Sequence, residues 1–220
     1  MKTRRAFIKS VIGVSSGIAL FCAPLTLMVR RLYAKTKKII LPKGTKRETL
    51  VDKNPAELDP RNLSITPLKE FGKMGLAEHS INLNEWGLEI EGHVKKPLKF
   101  SYEEIRRMPS MRRTVLLICP GYFANHGDWE GISFSEIFKE CHAENGITHV
   151  TVRGPLGPYV KTERFKIEDI VSNKVFLAYK VNGEVLPESH GFPLRIVAED
   201  HYGYEWVKFV ERVTVEKIME

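Results

Sequence analysis

The stretch VFLAYKVNGEVLPESHGFPLRIV, residues 175–197, contains two strand-like apolar runs with a turn signal between them. The dipeptide Asn182-Gly183 favours a tight two-residue hairpin, because both residue types readily adopt positive φ. Similar runs occur elsewhere in the chain, in WGLEIEG, RTVLLIC, ITHVTVRG and WVKFVERVTVEKI. The chain is therefore predicted to be rich in strands that are linked as hairpins.

Two short helices are predicted among these strands. The first, SYEEIRRM, begins with Ser101 and Glu104 in the positions of a capping box. The second runs from Ser133 to Ala143, with Ser133 and Glu136 in the same two roles. Because strands outnumber helices, the sequence predicts an α+β fold with a mixed sheet in a single domain, rather than a doubly wound parallel sheet.

Charge is distributed unevenly along the 220 residues. The chain has 34 basic and 27 acidic residues, and its formal net charge is +7. Residues 1–47 hold twelve of the basic residues and no acidic one, so the rest of the chain has a net charge of −5. A surface that binds phosphate backbones would need the opposite sign, which argues against nucleic-acid binding.

The N-terminus has the organisation of an export signal. TRRAFIK, residues 3–9, precedes an uncharged stretch over residues 10–29. The adjacent arginines resemble the twin-arginine signal, which carries folded proteins across a membrane, and an ordinary signal anchor is the alternative. The uncharged stretch is long enough to span a bilayer, so both cleavage and retention as an anchor stay open. We divide the chain into this signal or anchor (1–34), a basic linker or arm (35–60) and one domain (61–220).

A single cysteine, Cys119, ends the run LLIC, and PGYFANHGDWEG follows it as a predicted loop. Three roles are open for its thiol: a small core residue, a nucleophile assisted by His126 and Asn125, or a ligand of a metal that brings most of its own ligands. No second cysteine stands at metal-ligand spacing, which argues against a zinc site built from side chains alone. Cys141, in the second predicted helix, is interpreted as a buried apolar residue.

Several blocks of the sequence resemble, in order, the molybdopterin domain of the sulfite oxidase superfamily. The most specific block is AYKVNGEVLPESHGFPLRIV, which is similar to that family's Y-x-x-N-G-x-x-L-P-x-x-H-G-x-P-x-R segment. With the Cys119 strand, DWEGISFSEIF, HVTVRG and HYGYEWVKFVERVTV, the resemblance covers Leu63 to Val215. A compact body behind a twin-arginine motif is more similar to the bacterial periplasmic branch, which includes the catalytic subunit of the protein-methionine-sulfoxide reductase system.

The resemblance implies a cofactor, Mo-molybdopterin, and a set of site residues. Cys119 would be the thiolate ligand of molybdenum, and Tyr179 would match the active-site tyrosine that hydrogen-bonds the transferred oxygen. His190 and Arg195 would bind the pterin and its phosphate, which a guanidinium fork suits. The other implied cofactor contacts are Thr66, Lys69, Glu70, Gly154, Gly203, Tyr204, Glu205 and Lys208.

The segment after Cys119 departs from that of sulfite oxidases. There the cysteine is followed by A-G-N-R-R, whose arginines help to form an anion pocket, whereas CPGYFAN has no basic residue. A dianion such as sulfite needs cationic partners when it leaves water. We therefore expect oxygen-atom transfer with an uncharged, sulfoxide-type substrate. The alternatives are a sulfite dehydrogenase of the same family and a cofactor-free binding module on this fold.

Two protein partners and a location are expected from these features. The chain has no CxxCH haem-attachment motif, so electrons must be exchanged with a separate redox partner, either a membrane haem subunit or a periplasmic cytochrome. The twin-arginine translocase would export a protein that has already received its cofactor. The expected location is the periplasm or the cell exterior.

Overall fold

A computed structural model of the chain describes residues 37–76, 79–157 and 160–218. The predicted signal or anchor, residues 1–34, lies outside these ranges. Within them, no helix has both the length and the apolar character needed to cross a membrane.

The described ranges contain many short strands and few helices. The strands are β1 (Ile39–Ile40), β2 (Leu58–Asp59), β3 (Leu88–Gly92), β4 (Leu98–Phe100), β5 (Ser110–Cys119), β6 (Phe123–Ile132), β7 (His149–Arg153), β8 (Thr162–Lys166), β9 (Val175–Val181), β10 (Glu184–Val185), β11 (Arg195–Ala198) and β12 (Arg212–Glu216). The α-helices are α1 (Tyr102–Arg107), α2 (Phe134–Glu140) and α3 (Ile167–Val171).

Most strands belong to two five-stranded sheets. The first has the order β10-β9-β6-β5, and β11 also pairs with β9. The second has the order β4-β3-β12-β7-β8, in which β3 and β12 are parallel and the other neighbours are antiparallel. Side chains from both sheets share one continuous buried cluster. The predicted α+β fold with mixed sheets is confirmed.

The hairpin predicted at Asn182-Gly183 joins β9 to β10. Val181 pairs with Glu184 across a two-residue turn, and Asn182 and Gly183 have φ values of 53° and 83°. Positive φ at both positions is the geometry that an Asn-Gly turn favours. The chain then returns as β11, which is antiparallel to β9 and brings Arg195 to the start of a fully buried strand.

The residues after Cys119 form a strand rather than the predicted loop. β6 turns back directly from β5 and pairs with it over its 10 residues, starting at Cys119 opposite Phe123. Glycine and polar residues concealed this strand, because they are depleted in sheets. Packing requires one of these glycines: a Cβ on Gly131 would lie 1.9 Å from the carbonyl oxygen of Leu177 in β9.

Both predicted helices form, but only the first has its predicted cap. The Oγ of Ser101 accepts a hydrogen bond from the N–H of Glu104, whose carboxylate accepts one from the N–H of Ser101. Ser133 precedes α2 without a side-chain cap. The carboxylate of Glu136 pairs with Lys139 instead.

The arm covers the outer face of β5 and β6. Its buried leucines and the following Leu63 form a second cluster with these strands, made of Leu41, Leu50, Leu58, Leu63, Leu116, Ile118 and Ala124. Because side chains alternate along a strand, Leu116 and Ile118 face the arm while Leu117 and Cys119 face the main core. The chain from Lys38 onward forms one compact unit, so residue 60 marks no break in packing.

Candidate active site

A cavity of about 880 Å³ opens where β5 ends. Its wall combines residues 71–76, the β5–β6 hairpin, the start of β11 and the segment 203–209. Half of the residues that the sequence predicted for the site line this cavity, namely Cys119, His190, Arg195, Gly203, Tyr204 and Lys208.

Cys119 is the last residue of β5, and its side chain faces the cavity. It is only 4% exposed, and its Sγ lies 3.2 Å from the Sδ of Met74. Burial raises the pKa of the Cys119 thiol, and no charged side chain acts against this effect. We therefore expect a protonated thiol until a metal binds, since coordination deprotonates a thiol.

The segment 71–76 forms one wall of the cavity and is fixed on both sides of Met74. The side chain of Asn125 bonds both backbone groups of Gly72: Oδ1 accepts from the N–H at 3.1 Å, and Nδ2 donates to the carbonyl at 3.3 Å. The Nζ of Lys208 donates to the carbonyl of Leu76 at 2.9 Å. Met74 therefore lies midway between two main-chain anchors.

Arg195 contributes a buried positive charge to the cavity. Its Nη1 donates to the carbonyl of His190 at 2.9 Å, and its guanidinium lies 5.0 Å from the ring centre of Trp129 and 5.5 Å from that of Trp206. No carboxylate of the described residues pairs with it, and burial lowers its pKa to about 9. A buried cation without a counter-charge is a site for an anion.

Lys208 and His190 lie close to this charge. The Nζ of Lys208 also donates to the carbonyl of Ser189 at 3.0 Å, and burial, aided by repulsion from Arg195 and Lys73, lowers its pKa to about 8. Burial and the same neighbouring cations lower the pKa of His190 to about 4, so its ring is neutral at pH 7. The charges of Arg195, Lys208 and Lys73 thus repel one another, and a bound anion would offset this repulsion.

A short 3-10 turn, Gly203–Glu205, brings Gly203 and Tyr204 to the cavity. Glycine allows the turn to rest on β5, because a Cβ at Gly203 would lie 3.0 Å from the Cδ2 of Leu117. Glu205 does not line the cavity. Its Oε2 accepts a hydrogen bond from the N–H of Tyr202 at 2.9 Å, so it supports the turn from behind.

The surroundings of Cys119 and of Arg195 differ in charge. Positive side chains act on one another around His190, whereas only burial acts on Cys119. Apolar side chains from Leu117 and Phe123 line the cavity on the same hairpin as the sulfur. The cavity therefore attracts an anion to the Arg195 side and presents an apolar surface beside the sulfur.

Tyr179 is not part of this cavity. It is buried in β9, where the guanidinium carbon of Arg106 lies 5.2 Å from its ring centre, and burial raises its pKa. Its hydroxyl lies beside Ser110, at the opposite end of β5 from Cys119. The rise along that strand separates the two ends by roughly 30 Å. The structure thus does not support the predicted contact of Tyr179 with a transferred oxygen.

Thr66 and Gly154 are buried beside the cavity wall rather than in it. The Oγ1 of Thr66 accepts a hydrogen bond from the N–H of His126 at 2.9 Å, which ties the segment before residue 71 to β6. A Cβ on Gly154 would lie 3.0 Å from the carbonyl oxygen of Lys208. Both residues hold parts of the wall in place.

Lys69 and Glu70 are exposed on a 3-10 turn ahead of the wall. The carboxylate of Glu70 accepts a hydrogen bond from Arg47 in the arm at 2.9 Å. Neither side chain lines the cavity. The part of this segment that lines the cavity begins one residue after Glu70, at Phe71.

The candidate base of the nucleophile alternative faces away from Cys119. His126 lies on the arm side of β6, where its Nδ1 is 3.4 Å from the carbonyl oxygen of Ser64. Burial lowers the pKa of His126. Asn125 faces the cavity, but its amide is engaged with Gly72. The arrangement lacks the cysteine–histidine contact that a hydrolase of this kind needs.

Lys73 and Met74 line the cavity but were not predicted from the sequence. Both lie between Gly72 and Gly75, directly after the predicted contact segment. The signal in the sequence that could have indicated them is a lysine and a methionine between two glycines. For Asn125 the sequence predicts a different role, assistance to a nucleophilic Cys119, whereas in the structure its amide holds Gly72.

Residues 75–219, about two thirds of the chain, match the oxidoreductase molybdopterin binding domain family. The chain belongs to this family. It is a molybdopterin-binding oxidoreductase domain, and Mo-molybdopterin is the cofactor that its relatives use.

Proteins similar to this chain are named for different activities. Nitrate reductase [NADH] from Lotus japonicus is 31% identical over 162 residues, which cover 60% of this chain and 18% of that protein. The catalytic subunit MsrP of protein-methionine-sulfoxide reductase from Gluconobacter oxydans is 27% identical over 145 residues, which cover 58% of this chain and 46% of that one. The chain therefore spans less than half the length of these two relatives.

A solved structure has the same fold. The sulfane dehydrogenase SoxCD from Paracoccus pantotrophus aligns with a TM-score of 0.59 and 23% identity, over 64% of this chain and 40% of that chain. The alignment confirms the sulfite-oxidase-type architecture expected from the sequence.

The cavity residues fit the family's cofactor. A thiolate from Cys119 is the kind of soft donor that suits such a metal. Arg195 and Lys208 bring positive charge that no carboxylate of the described residues offsets, as a phosphate-bearing ligand requires. The indole N–H of Trp129 is buried beside the cavity without an acceptor, which leaves a donor for a ligand atom.

Proposed function

We propose that this chain is an exported Mo-molybdopterin oxidoreductase that transfers an oxygen atom and reduces a sulfoxide-type substrate. One observation carries the proposal: the Cys119 sulfur and the uncompensated cations around Arg195 share one cavity, and the hairpin that carries the sulfur lines this cavity with the apolar side chains of Leu117 and Phe123. The first half supports the cofactor, and the second half supports an uncharged substrate.

The residues of the chain would divide the work as follows. Cys119 would ligate the metal, while Arg195 and Lys208 would bind the phosphate and His190 would contact the pterin as a neutral ring. Gly203 and Tyr204 would contact the cofactor from the supported turn. When bound, the cofactor supplies the metal that exchanges the oxygen atom and an electron pair. The reaction converts a sulfoxide, two electrons and two protons into a thioether and water.

The absence of lysine and arginine from residues 120–129, which follow Cys119, supports this substrate class. Sulfite and nitrate are anions, and both need positive partners to offset their desolvation. Lys73 is the cation next to Met74 in the sequence, and its charge lowers the pKa values of His190 and Lys208. A sulfite dehydrogenase or a nitrate reductase would have to place its anion on the side proposed for the phosphate.

Export and electron supply complete the proposal. The twin-arginine motif at residues 3–9 would direct the loaded, folded protein to the twin-arginine translocase and so to the periplasm or the cell exterior. A membrane haem subunit or a periplasmic cytochrome would exchange electrons with the chain. Fractionation of cells that express wild type and an Arg4→Lys, Arg5→Lys variant tests the export: the variant should stay in the cytoplasm with its cofactor bound.

Metal analysis tests the central claim. We expect near-stoichiometric molybdenum in the full-length wild type and a large loss in Cys119→Ser, while Cys141→Ser serves as the matched control and keeps its metal. Molybdenum-free wild type would instead support a binding module. The loaded protein is then supplied with reduced viologen and, separately, with dimethyl sulfoxide, trimethylamine N-oxide or nitrate, and its oxidised form with sulfite. Turnover of nitrate or sulfite without any sulfoxide turnover would overturn the substrate class.

A further inference from the structure

The thioether of Met74 covers the cavity side of Cys119. The two sulfur atoms are 3.2 Å apart. Met74 is 38% exposed and Cys119 only 4%, so the methionine shields the thiol while small oxidants can still reach its own sulfur.

Main-chain anchors fix this position. Asn125 from β6 holds Gly72, and Lys208 holds the carbonyl of Leu76, each two residues from Met74. β5 and β6 are paired directly at Cys119, so the strand that carries the first anchor also fixes the thiol. The backbone on both sides of Met74 is therefore held near Cys119 by contacts that do not involve the methionine sulfur.

A thioether is the product of sulfoxide reduction, so the chain holds a product-like group beside its proposed metal ligand. We propose that Met74 is an oxidation site, and that its sulfoxide is reduced at the Cys119 centre of the same molecule. This inference rests on the proposed sulfoxide reduction. It gives the protein a second activity, the repair of its own cavity wall.

The chemistry balances with named reactants. Hydrogen peroxide transfers one oxygen atom to the Sδ of Met74 and leaves as water, which gives the sulfoxide. In the repair step the sulfoxide takes up two electrons and two protons, its S–O bond breaks, and the thioether and water form. The electrons come from the redox partner, or from reduced viologen in a purified system.

Peptide mass spectrometry of the molybdenum-loaded, full-length protein tests the inference. The protein is oxidised with peroxide, the peroxide is removed with catalase, reduced viologen is added, and each methionine is followed over time. Met108 and Met111 are internal controls. Met111 is the second residue of β5, roughly 26 Å from Cys119 along the strand, and Met108 precedes that strand. We expect Met74 sulfoxide to disappear at least about tenfold faster than the sulfoxides of both controls.

Dilution and mixing separate repair within a molecule from repair between molecules. The rate for Met74 should stay constant when the protein is diluted. In a mixture of oxidised Cys119→Ser chains with reduced wild type, Met74 of the variant should remain oxidised. A rate that falls in proportion to concentration, or repair of the variant by the wild type, would overturn the inference.

Turnover of free dimethyl sulfoxide by the same preparation distinguishes this inference from the proposed function. If dimethyl sulfoxide is reduced while Met74 sulfoxide persists, self-repair is wrong and the proposed function stands. If neither is reduced, the proposed sulfoxide reduction is wrong as well.

Discussion

The carbonyl of His190 accepts a hydrogen bond from the Nη1 of Arg195 at 2.9 Å. The buried guanidinium therefore faces a backbone dipole there and not a carboxylate. The Nε of Arg195 donates to the carbonyl of Ile196 at 3.3 Å, and the rings of Trp129 and Trp206 lie next to the guanidinium group. Dipoles and aromatic faces compensate a charge only partly when water is excluded. The cofactor-free protein therefore carries an electrostatic cost that binding of the cofactor would remove.

Replacing Arg195 with Met should separate folding from cofactor binding. The variant loses a buried, uncompensated charge, so we expect the cofactor-free protein to unfold at the same or a higher temperature than wild type. Molybdenum content after purification should fall by about tenfold or more, since a charge-assisted phosphate contact is lost. Arg107→Met, on the exposed face of α1, is the matched control and should change neither quantity. A variant that unfolds at lower temperature but keeps its metal contradicts this account.

The depressed pKa of Lys208 predicts how sulfate binding depends on pH. Its pKa is about 8 in the cofactor-free fold against 10.5 for an ordinary lysine, so the native state loses this proton before the unfolded state does. Stability relative to Lys208→Met should therefore rise as the pH goes from about 8 to 10.5. Sulfate, a dianion throughout this range, should raise the unfolding temperature more at pH 7 than at pH 9. Equal sulfate effects at the two pH values would rule out this role for Lys208.

His190 should make the fold sensitive to acid. Its pKa is about 4 in the folded protein and 6.5 in an unfolded chain, so the unfolded state binds the proton first as the pH falls. Wild type should therefore lose stability relative to His190→Gln between pH 6.5 and pH 4, by at most about 3 kcal/mol. Urea unfolding at several pH values measures the difference, and parallel pH profiles for the two proteins would contradict the prediction.

His201 should show the opposite dependence. The Nδ1 of His201 lies 3.0 Å from a carboxylate oxygen of Glu205, and its Nε2 lies 3.4 Å from one of Asp169 in α3. The hydrogen bond to Asp169 is the main cause of the raised pKa of His201. The protonated ring thus stabilises the turn that carries Gly203. The stability difference between wild type and His201→Gln should be fully present below pH 6.5 and disappear as the pH rises through the raised pKa. Asp169→Asn should shift that loss to lower pH.

Gly131 should tolerate no side chain. A Cβ there would meet the carbonyl oxygen of Leu177 at 1.9 Å, and a backbone atom in a central strand cannot move aside cheaply. We expect Gly131→Ala to cost several kcal/mol in urea unfolding, about the scale of severe core substitutions. Gly183→Ala is the control: its φ of 83° strains a side chain, but no atom lies within 4 Å, so its cost should be smaller.

The sequence predicted the parts of the fold whose signal is local. The Asn182-Gly183 turn and the Ser101 cap depend on residues that are neighbours in the chain, and both are present. β6 was not predicted because its glycine and polar residues are uncommon in strands, and the need for one of them, Gly131, comes from Leu177 in another strand. Alternation along the chain could not reveal a requirement that a distant strand imposes.

The site was predictable to a similar degree. The ordered blocks of the sequence located Cys119, His190 and Arg195, which line one cavity. Resemblance also selected Tyr179, whose distance from Cys119 follows from the length of β5 and not from any motif. Met74 was overlooked because its importance depends on two anchors from other parts of the chain.

The arm that covers the outer face of β5 sets a limit on how the protein can be shortened. The family match begins at Gly75, which would be a natural point to start a minimal expression clone. Such a clone would omit Met74 and the Gly72 anchor point, and it would leave Leu116 and Ile118 without the leucines that shield them from water. We expect that fragment to aggregate, whereas one that begins at Lys37 or earlier keeps the back of the cysteine strand covered.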